Sequence, residues 1–145
     1  MTKKVNDQPV EVILSNQMGY ERIAMACSAT FAQMFGFTQN RIEDLKTIVA
    51  EATINAMEHG NKGRPDAKVA IFIHSEDDAI YVTVIDEGDG IYEFPPNPDI
   101  DRIINSLDPP IGFGLFLIKQ LADHVEFNKM KDGGHMVKMA VKMKT

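Results

Sequence analysis

Three polar residues recur at four-residue intervals within a stretch that has helical periodicity. They are Glu51, Asn55 and His59, and this spacing places them along one face of a helix. A carboxamide oxygen is a ligand that Mg²⁺ accepts, and a carboxylate one turn away can act as a base. A solvated helix face has the same spacing, so the alternative is a surface stripe. The residues between them are unusually apolar for such a surface: Ala52, Ile54, Ala56 and Met57.

A second polar group follows a β-rich run, 81–85. It consists of Asp86, Gly88 and Gly90 in the pattern Asp-x-Gly-x-Gly. An aspartate at the end of a strand can accept a hydrogen bond from the amino group of a ligand, and the glycines allow the backbone to approach closely. Ordinary tight turns use the same residue types. This segment alone therefore leaves a ligand site and a simple turn both open.

A third segment, Gly112-Phe113-Gly114-Leu115, leads directly into an apolar helical pattern. Glycines at a helix N-terminus let backbone N–H groups face a phosphate, whose negative charge the helix dipole favours. A glycine-rich join between a loop and a helix is the alternative. The Gly-x4-Gly-Lys-Ser/Thr phosphate loop is absent from the sequence, which excludes the commonest nucleotide-binding architecture.

Helical periodicity predicts the elements that carry the first and third groups. One helix is expected over 18–35 before Gly36, and a second runs from 38–41 to His59, where Gly60 ends it. A third opens at Gly112. Its inward side chains are expected to be Leu115, Ile118, Leu121 and Ala122. The inward face of the first helix is expected to comprise Ile23, Cys27, Thr30, Phe31 and Met34.

Strand patterns predict the sheet on which these helices lie. A first strand is expected over 10–14, and hairpins are expected over 67–74 with 79–85 and over 125–130 with 136–143. Residues 91–111 are rich in proline and predict a long irregular lid. Antiparallel hairpins with segregated helices indicate an α+β two-layer sandwich, a mostly antiparallel sheet covered on one face by about three helices.

Composition limits the class of protein. A chain of 145 residues is the size of one domain, so 1–145 is predicted to be a single unit. A net charge of −6 argues against direct binding of nucleic acid or an anionic membrane surface. No apolar run approaches the ~20 residues of a membrane span, and the polar start does not resemble a signal peptide. These features favour the cytoplasm.

Two residue types receive simpler interpretations. The single cysteine, Cys27, is expected to pack in the core. The histidines outside the second helix lack ligand spacing and are expected at the surface or on edge strands. They are His74, His124 and His135.

The order and spacing of the three polar groups resemble the GHKL ATPase/kinase superfamily. Residues 51–60 are similar to its N box, 86–90 to its G1 box and 112–115 to its G2 box. The short chain and the segment 114–123 are most similar to bacterial anti-sigma factor serine/threonine kinases. The resemblance covers about 10–141 and implies the Bergerat fold, with ATP and Mg²⁺ as cofactors.

The resemblance also implies roles for individual residues. Glu51 would be the catalytic base, and Asn55 would hold Mg²⁺. Asp86 would accept a hydrogen bond from the adenine amino group. The nucleotide-binding set would be Asn55, His59, Asp86, Gly88, Gly90, Ile91, Gly112, Phe113, Gly114 and Leu115.

Relatives of this kind phosphorylate a STAS-type anti-anti-sigma protein, bind a sigma factor and form homodimers. Arg22 matches a position that contacts partners in them, although an exposed helix arginine is also ordinary. Many relatives carry a basic residue before the first G2 glycine, where this chain has Ile111. The resemblance therefore implies a kinase, with a nucleotide-gated anti-sigma protein of little or no kinase activity as the alternative.

Overall fold

Five antiparallel strands form one sheet in the computed structural model, which describes residues 8–88 and 112–143. Along the sheet the order is β1-β2-β3-β5-β4, so the closing hairpin lies beside β3. Alternation along β2 buries every second side chain, which is the pattern of a sheet packed on one face. The strands are β1 (Val10–Ser15), β2 (Lys68–Glu76), β3 (Ala79–Ile85), β4 (His124–Lys129) and β5 (His135–Lys142).

Within residues 8–88 and 112–143, three α-helices complete the expected α+β sandwich: α1 (Glu21–Met34), α2 (Gln39–Asn55) and α3 (Gly112–Leu121). Helix α2 begins where the Thr38 hydroxyl accepts a hydrogen bond from the Arg41 N–H, an N-terminal cap. Helix α1 ends before Gly36, whose φ of +77° suits glycine. Among the described residues, none of the helices is both long and apolar enough to cross a membrane.

The predicted second helix differs from the structure over its last turn. Helix α2 stops at Asn55, and residues Ala56–Gly60 form a π-helical turn. The wider turn is closed by a bond from the Asn61 N–H to the Ala56 carbonyl (2.7 Å), a spacing of five residues. The last residue of the turn, Gly60, lies against the side chain of Asp86 at the end of β3.

The core lies between the sheet and the helices, and α2 is its centre. Leu45, Ile48 and Val49 of this helix are fully buried. They pack in one cluster with the inward side chains of β2 and β3, such as Ile71 and Val82. A helix buried along this much of its length is held rigidly, and the polar residues at its C-terminal end are fixed with it.

The predicted inward face of α1 was correct only in part, since Ile23, Thr30 and Met34 are exposed. Ile23 and Met34 are exposed (47% and 75%), while Ala24 and Ser28 are buried. The helix is rotated by about one residue because the small side chains at i, i+4 and i+8 (Ala24, Ser28, Ala32) let α1 approach α2 closely. Phe31 is buried as expected. Cys27 is half-buried and packs against the core.

A buried arginine ties the start of α2 to the closing hairpin. Arg41 is 6% exposed; its Nε donates to the Lys142 carbonyl (2.9 Å) and its guanidinium pairs with Asp44 (2.9 Å) and Asp123. Asp123 also accepts from the Lys142 N–H (2.7 Å). Both carboxylates compensate a guanidinium that burial alone would destabilise. The helix that carries the polar stripe is therefore anchored to β5.

Candidate functional site

Glu51 and Asn55 lie one turn apart at the end of α2, against the first turn of α3. A Cβ built on Gly114 would come within 2.6 Å of Glu51 Oε2 and 3.3 Å of Asn55 Nδ2. An added Cβ would require the Glu51 carboxylate to move. The two helices therefore meet here through backbone on one side and polar side chains on the other. Leu115, next in α3, is buried.

The Asn55 amide is largely buried, and its nitrogen is unpaired within the part of the chain that the structure describes. The residue is 8% exposed, and the unpaired atom is Nδ2. Buried polar atoms of this kind are uncommon, because each costs about 1–3 kcal/mol when left unpaired. The arrangement therefore fits a ligand that the amide contacts.

The Glu51 carboxylate lies in surroundings that favour its neutral form. Burial raises the pKa of Glu51 above its usual value, and the negative charge of Glu58 raises it further. A raised pKa makes the carboxylate a stronger proton acceptor at neutral pH than an exposed glutamate. His59, half-buried in the π turn, has its Nε2 3.8 Å from Glu58 Oε2.

Asp86, directly after β3, is 5% exposed and bound through one of its two oxygens. Oδ1 accepts from the Gly88 N–H (2.9 Å), the His135 N–H (3.1 Å) and the His135 ring Nδ1 (3.1 Å). No hydrogen bond found among the described residues uses Oδ2. That oxygen lies against Gly60, where a Cβ would overlap it. The carboxylate is thus fixed on one side and available on the other.

Glu87, the residue after Asp86, is held by hydrogen bonds at both its N–H and its carbonyl. Fully buried Asn61 accepts from the Glu87 N–H (2.7 Å), and Arg64 donates to the Glu87 carbonyl (3.0 Å). Asn61 also donates to the Lys68 carbonyl (3.0 Å) at the start of β2. These bonds hold the Asp-x-Gly segment to the loop after the π turn.

A cavity lies between α2, α3 and the sheet. Its polar lining residues are Asn55, Asp86 and His135. Apolar walls with a few convergent polar groups are typical of small-molecule sites. The apolar lining residues are Ala52, Ala56, Val84, Leu115, Ile118, Phe127, Met136 and Val137.

His135 corrects a prediction from the sequence. Instead of lying at the surface, it is 6% exposed and contacts Asp86. Its position follows from Gly134, whose φ is +91° and whose missing Cβ makes room for the Asp86 carbonyl. The sequence signal for this contact was the pair Gly133-Gly134, because a tight turn needs only one glycine. The sequence analysis also did not predict that Gly60 and Asn61 support the site, where they contact Asp86 and Glu87.

The structure describes only some of the other predicted site residues. Gly88 is buried beside Gly60. Gly112 and Phe113 begin α3. Gly90, Ile91, Ile111 and the expected lid at 91–111 lie outside the described residues. Arg22 is exposed near the start of α1 and does not line the cavity; it lines a separate groove with Met25, Ala26, Ala29, Thr30 and Lys46.

Comparison with known proteins gives consistent matches. A family model described as "Histidine kinase-like ATPase domain" matches residues 14–141. An "Anti-sigma F factor" of Bacillus velezensis is 28% identical over 127 residues, covering 82% of each chain. A "Serine-protein kinase RsbW" of Bacillus subtilis is 30% identical, covering 84% of this chain and 79% of the relative.

A solved structure supports the fold. The RsbU and RsbW domains of a Mycobacterium tuberculosis protein superpose with a TM-score of 0.62 at 19% identity. The match covers 92% of this chain, which spans about a third (32%) of that longer protein.

Proposed function

From the premise that this chain belongs to the histidine kinase-like ATPase domain family, we propose that it is an anti-sigma regulatory kinase. It binds ATP with Mg²⁺ and phosphorylates a serine or threonine of a STAS-type anti-anti-sigma protein. One observation carries the proposal: Glu51 and Asn55 meet Gly114 in the first turn of α3, beside the cavity that Asp86 lines.

The apolar cavity is the proposed adenine site. Asp86 Oδ2 accepts a hydrogen bond from the adenine amino group, and the apolar walls contact the faces of the ring. Gly88 would bring backbone to the base, and the resemblance of 86–90 to the G1 box implies that Gly90 and Ile91 belong to the same binding set. A buried carboxylate that accepts a bond from a neutral amine stabilises binding by about 1.5–3 kcal/mol.

The phosphates are proposed to lie at the start of α3. Gly112, Phe113, Gly114 and Leu115 would present backbone N–H groups at the positive end of the helix dipole. Asn55 would hold Mg²⁺ through its amide oxygen. Its unpaired Nδ2 would be left to donate a hydrogen bond to a phosphate oxygen. When bound, the ion neutralises charge on the phosphates. His59 is proposed to contact the nucleotide from the π turn.

Glu51 is the proposed base. Its carboxylate takes the proton of the attacking hydroxyl while the oxygen forms a bond to the terminal phosphorus and ADP leaves. Phosphoryl transfer depends chiefly on positioning and charge neutralisation. The rigid α2 and its close contact with Gly114 support the positioning.

The names of the relatives support this role and also leave a second candidate. One group is named for anti-sigma activity and the other for serine-protein kinase activity. Ile111 stands where many such kinases carry a basic residue, which favours the alternative of a nucleotide-gated sigma-binding protein that turns over slowly. In both cases the expected location is the cytoplasm.

Transfer of label from [γ-³²P]ATP separates the two candidates. The purified chain is incubated with Mg²⁺ and, one at a time, the STAS-domain proteins encoded in the same genome. We expect label on one serine or threonine of one such protein, and a melting temperature that rises with ATP·Mg²⁺. A thermal shift without label would favour the gated binder. Absence of both would contradict the nucleotide site itself.

We also propose that the groove at Arg22 contacts the partner. Arg22 and Lys46 place two cations beside apolar and small side chains of α1 in a chain of net charge −6. The chain is further proposed to act as a homodimer. Apolar side chains exposed on β1 and near the start of α1 offer a surface for it: Val10, Ile13, Met18, Tyr20 and Ile23.

Charge reversal at Arg22 tests the partner surface. R22E is expected to reduce labelling of the STAS protein at least tenfold, because an acidic contact would meet a like charge. Its ATP affinity should stay within about twofold, since Arg22 does not line the cavity. K129E, which changes an exposed β4 lysine in the same way, is the matched control. Equal labelling by both variants would contradict the assignment.

A further inference from the structure

We propose that His135 is a positioning residue that makes the site selective for adenine over 6-oxopurines. The inference rests on the proposed ATP site and extends it to a residue that the nucleotide motifs do not include. His135 acts through Asp86: its ring orients the carboxylate that reads the 6-position of the purine.

The hydrogen bonds of Asp86 define this role. A carboxylate only accepts, so the His135 Nδ1 that lies 3.1 Å from Oδ1 must carry the proton. The same oxygen accepts from the N–H groups of His135 and Gly88. Three donors on Oδ1 fix the rotation of the carboxylate about its Cβ–Cγ bond. Oδ2 is then held as an acceptor on the other side.

The placement of His135 is fixed by the backbone. Its carbonyl accepts from the Asp86 N–H (3.0 Å), and it pairs with Lys129 at the start of β5. Gly134, the residue before it, donates to the Gly88 carbonyl. The side chains of His135 and Asp86 are 8% and 4% exposed. Water therefore cannot easily replace the ring as a donor.

A fixed acceptor distinguishes purines by their 6-substituent. The 6-amino group of adenine donates to Oδ2, whereas the 6-oxo group of hypoxanthine is itself an acceptor and is repelled. Without the ring, the carboxylate has lost one of its three donors and turns more freely, so the acceptor is no longer held toward the base. Loss of the ring should weaken ATP binding more than ITP binding. A purely structural role would weaken both equally.

The test measures dissociation constants of ATP and ITP, each with Mg²⁺, for the full chain and three variants. H135L removes the donor but keeps an apolar side chain of similar bulk. H135N keeps an amide nitrogen where the ring Nδ1 lies, while H135Q moves that nitrogen toward the Nε2 position. We expect a preference for ATP of about 100-fold in the unchanged chain, in line with a charge-assisted hydrogen bond.

We expect the preference for ATP over ITP to fall at least tenfold in H135L and H135Q. In H135N it should stay within threefold of that of the unchanged chain. Equal preferences in H135N and H135Q would overturn the inference, and that pair decides the question if H135L does not fold. Equal weakening of ATP and ITP in H135L would also overturn it. If the unchanged chain does not prefer ATP over ITP, the failure lies instead in the proposed contact between Asp86 and adenine.

Discussion

E51Q is expected to lower phosphotransfer by about 10²–10⁴-fold while keeping ATP affinity within about threefold. The amide keeps the shape of the carboxylate beside Gly114 but cannot take the proton of the attacking hydroxyl. The measurements are single-turnover labelling of the STAS partner and titration with ATP·Mg²⁺. Labelling by E51Q at the rate of the unchanged chain would remove Glu51 from the role of base.

The pH dependence provides a second check on Glu51. Because burial and Glu58 raise its pKa, the rate of the unchanged chain should fall with decreasing pH earlier than for an ordinary glutamate. E58Q removes the neighbouring charge, lowers the pKa of Glu51 and should move this acidic limb to lower pH. E58Q is therefore the matched control for the pH dependence, and it should remain active at neutral pH because Glu51 is still present.

The same raised pKa has a consequence for stability. The folded chain binds the Glu51 proton more tightly than the unfolded chain, so this stabilisation is present at low pH and is lost as pH rises through the folded-state pKa. Near neutral pH the charged carboxylate destabilises the ligand-free fold. E51Q should therefore raise the melting temperature of the ligand-free protein slightly. A lower melting temperature would indicate that the carboxylate makes a stabilising contact.

D86N is expected to weaken ATP binding by about 10–100-fold, the factor associated with a lost charge-assisted hydrogen bond. The amide oxygen can still accept from Gly88 and His135 at the Oδ1 position. The amide nitrogen then takes the place of Oδ2 and meets the adenine amino group as a second donor. Equilibrium binding measured by calorimetry gives the affinity, and the melting temperature reports on folding.

E87Q is the matched control for D86N, since it neutralises the exposed neighbouring carboxylate. The hydrogen bonds that hold this residue use its backbone, which the substitution leaves in place. ATP affinity should be unchanged in E87Q. An affinity equally unchanged in D86N would count against the adenine contact.

The sheet and its hairpins could be predicted because alternation is a local signal. The structure has β3 at Ala79–Ile85, as the sequence predicts. The face of α1 could not be predicted, since large apolar side chains suggest burial while the approach to α2 is set by Ala24 and Ser28. Tertiary packing overrode the local pattern.

The motif residues of the site could be predicted from the sequence, but the residues that hold them in place could not. The spacing of Glu51 and Asn55 is visible in the sequence. The contacts of Asn61 and His135 depend instead on where a π turn and a glycine hairpin bring distant segments together. Asn61 and Glu87 are 26 residues apart, and His135 and Asp86 are 49 apart. Periodicity carries no information over such separations.

The three glycines around Asp86 limit how this pocket can change over evolution or in the laboratory. At Gly60, Gly88 and Gly134, an added Cβ would overlap the carboxylate or the main chain around it. The surroundings of Asp86 are therefore built from backbone, which single substitutions cannot reshape by adding side chains. Altered base preference must come from the side-chain wall instead. A library that aims at new nucleotides should vary Phe127 and Val137 and leave the glycines unchanged.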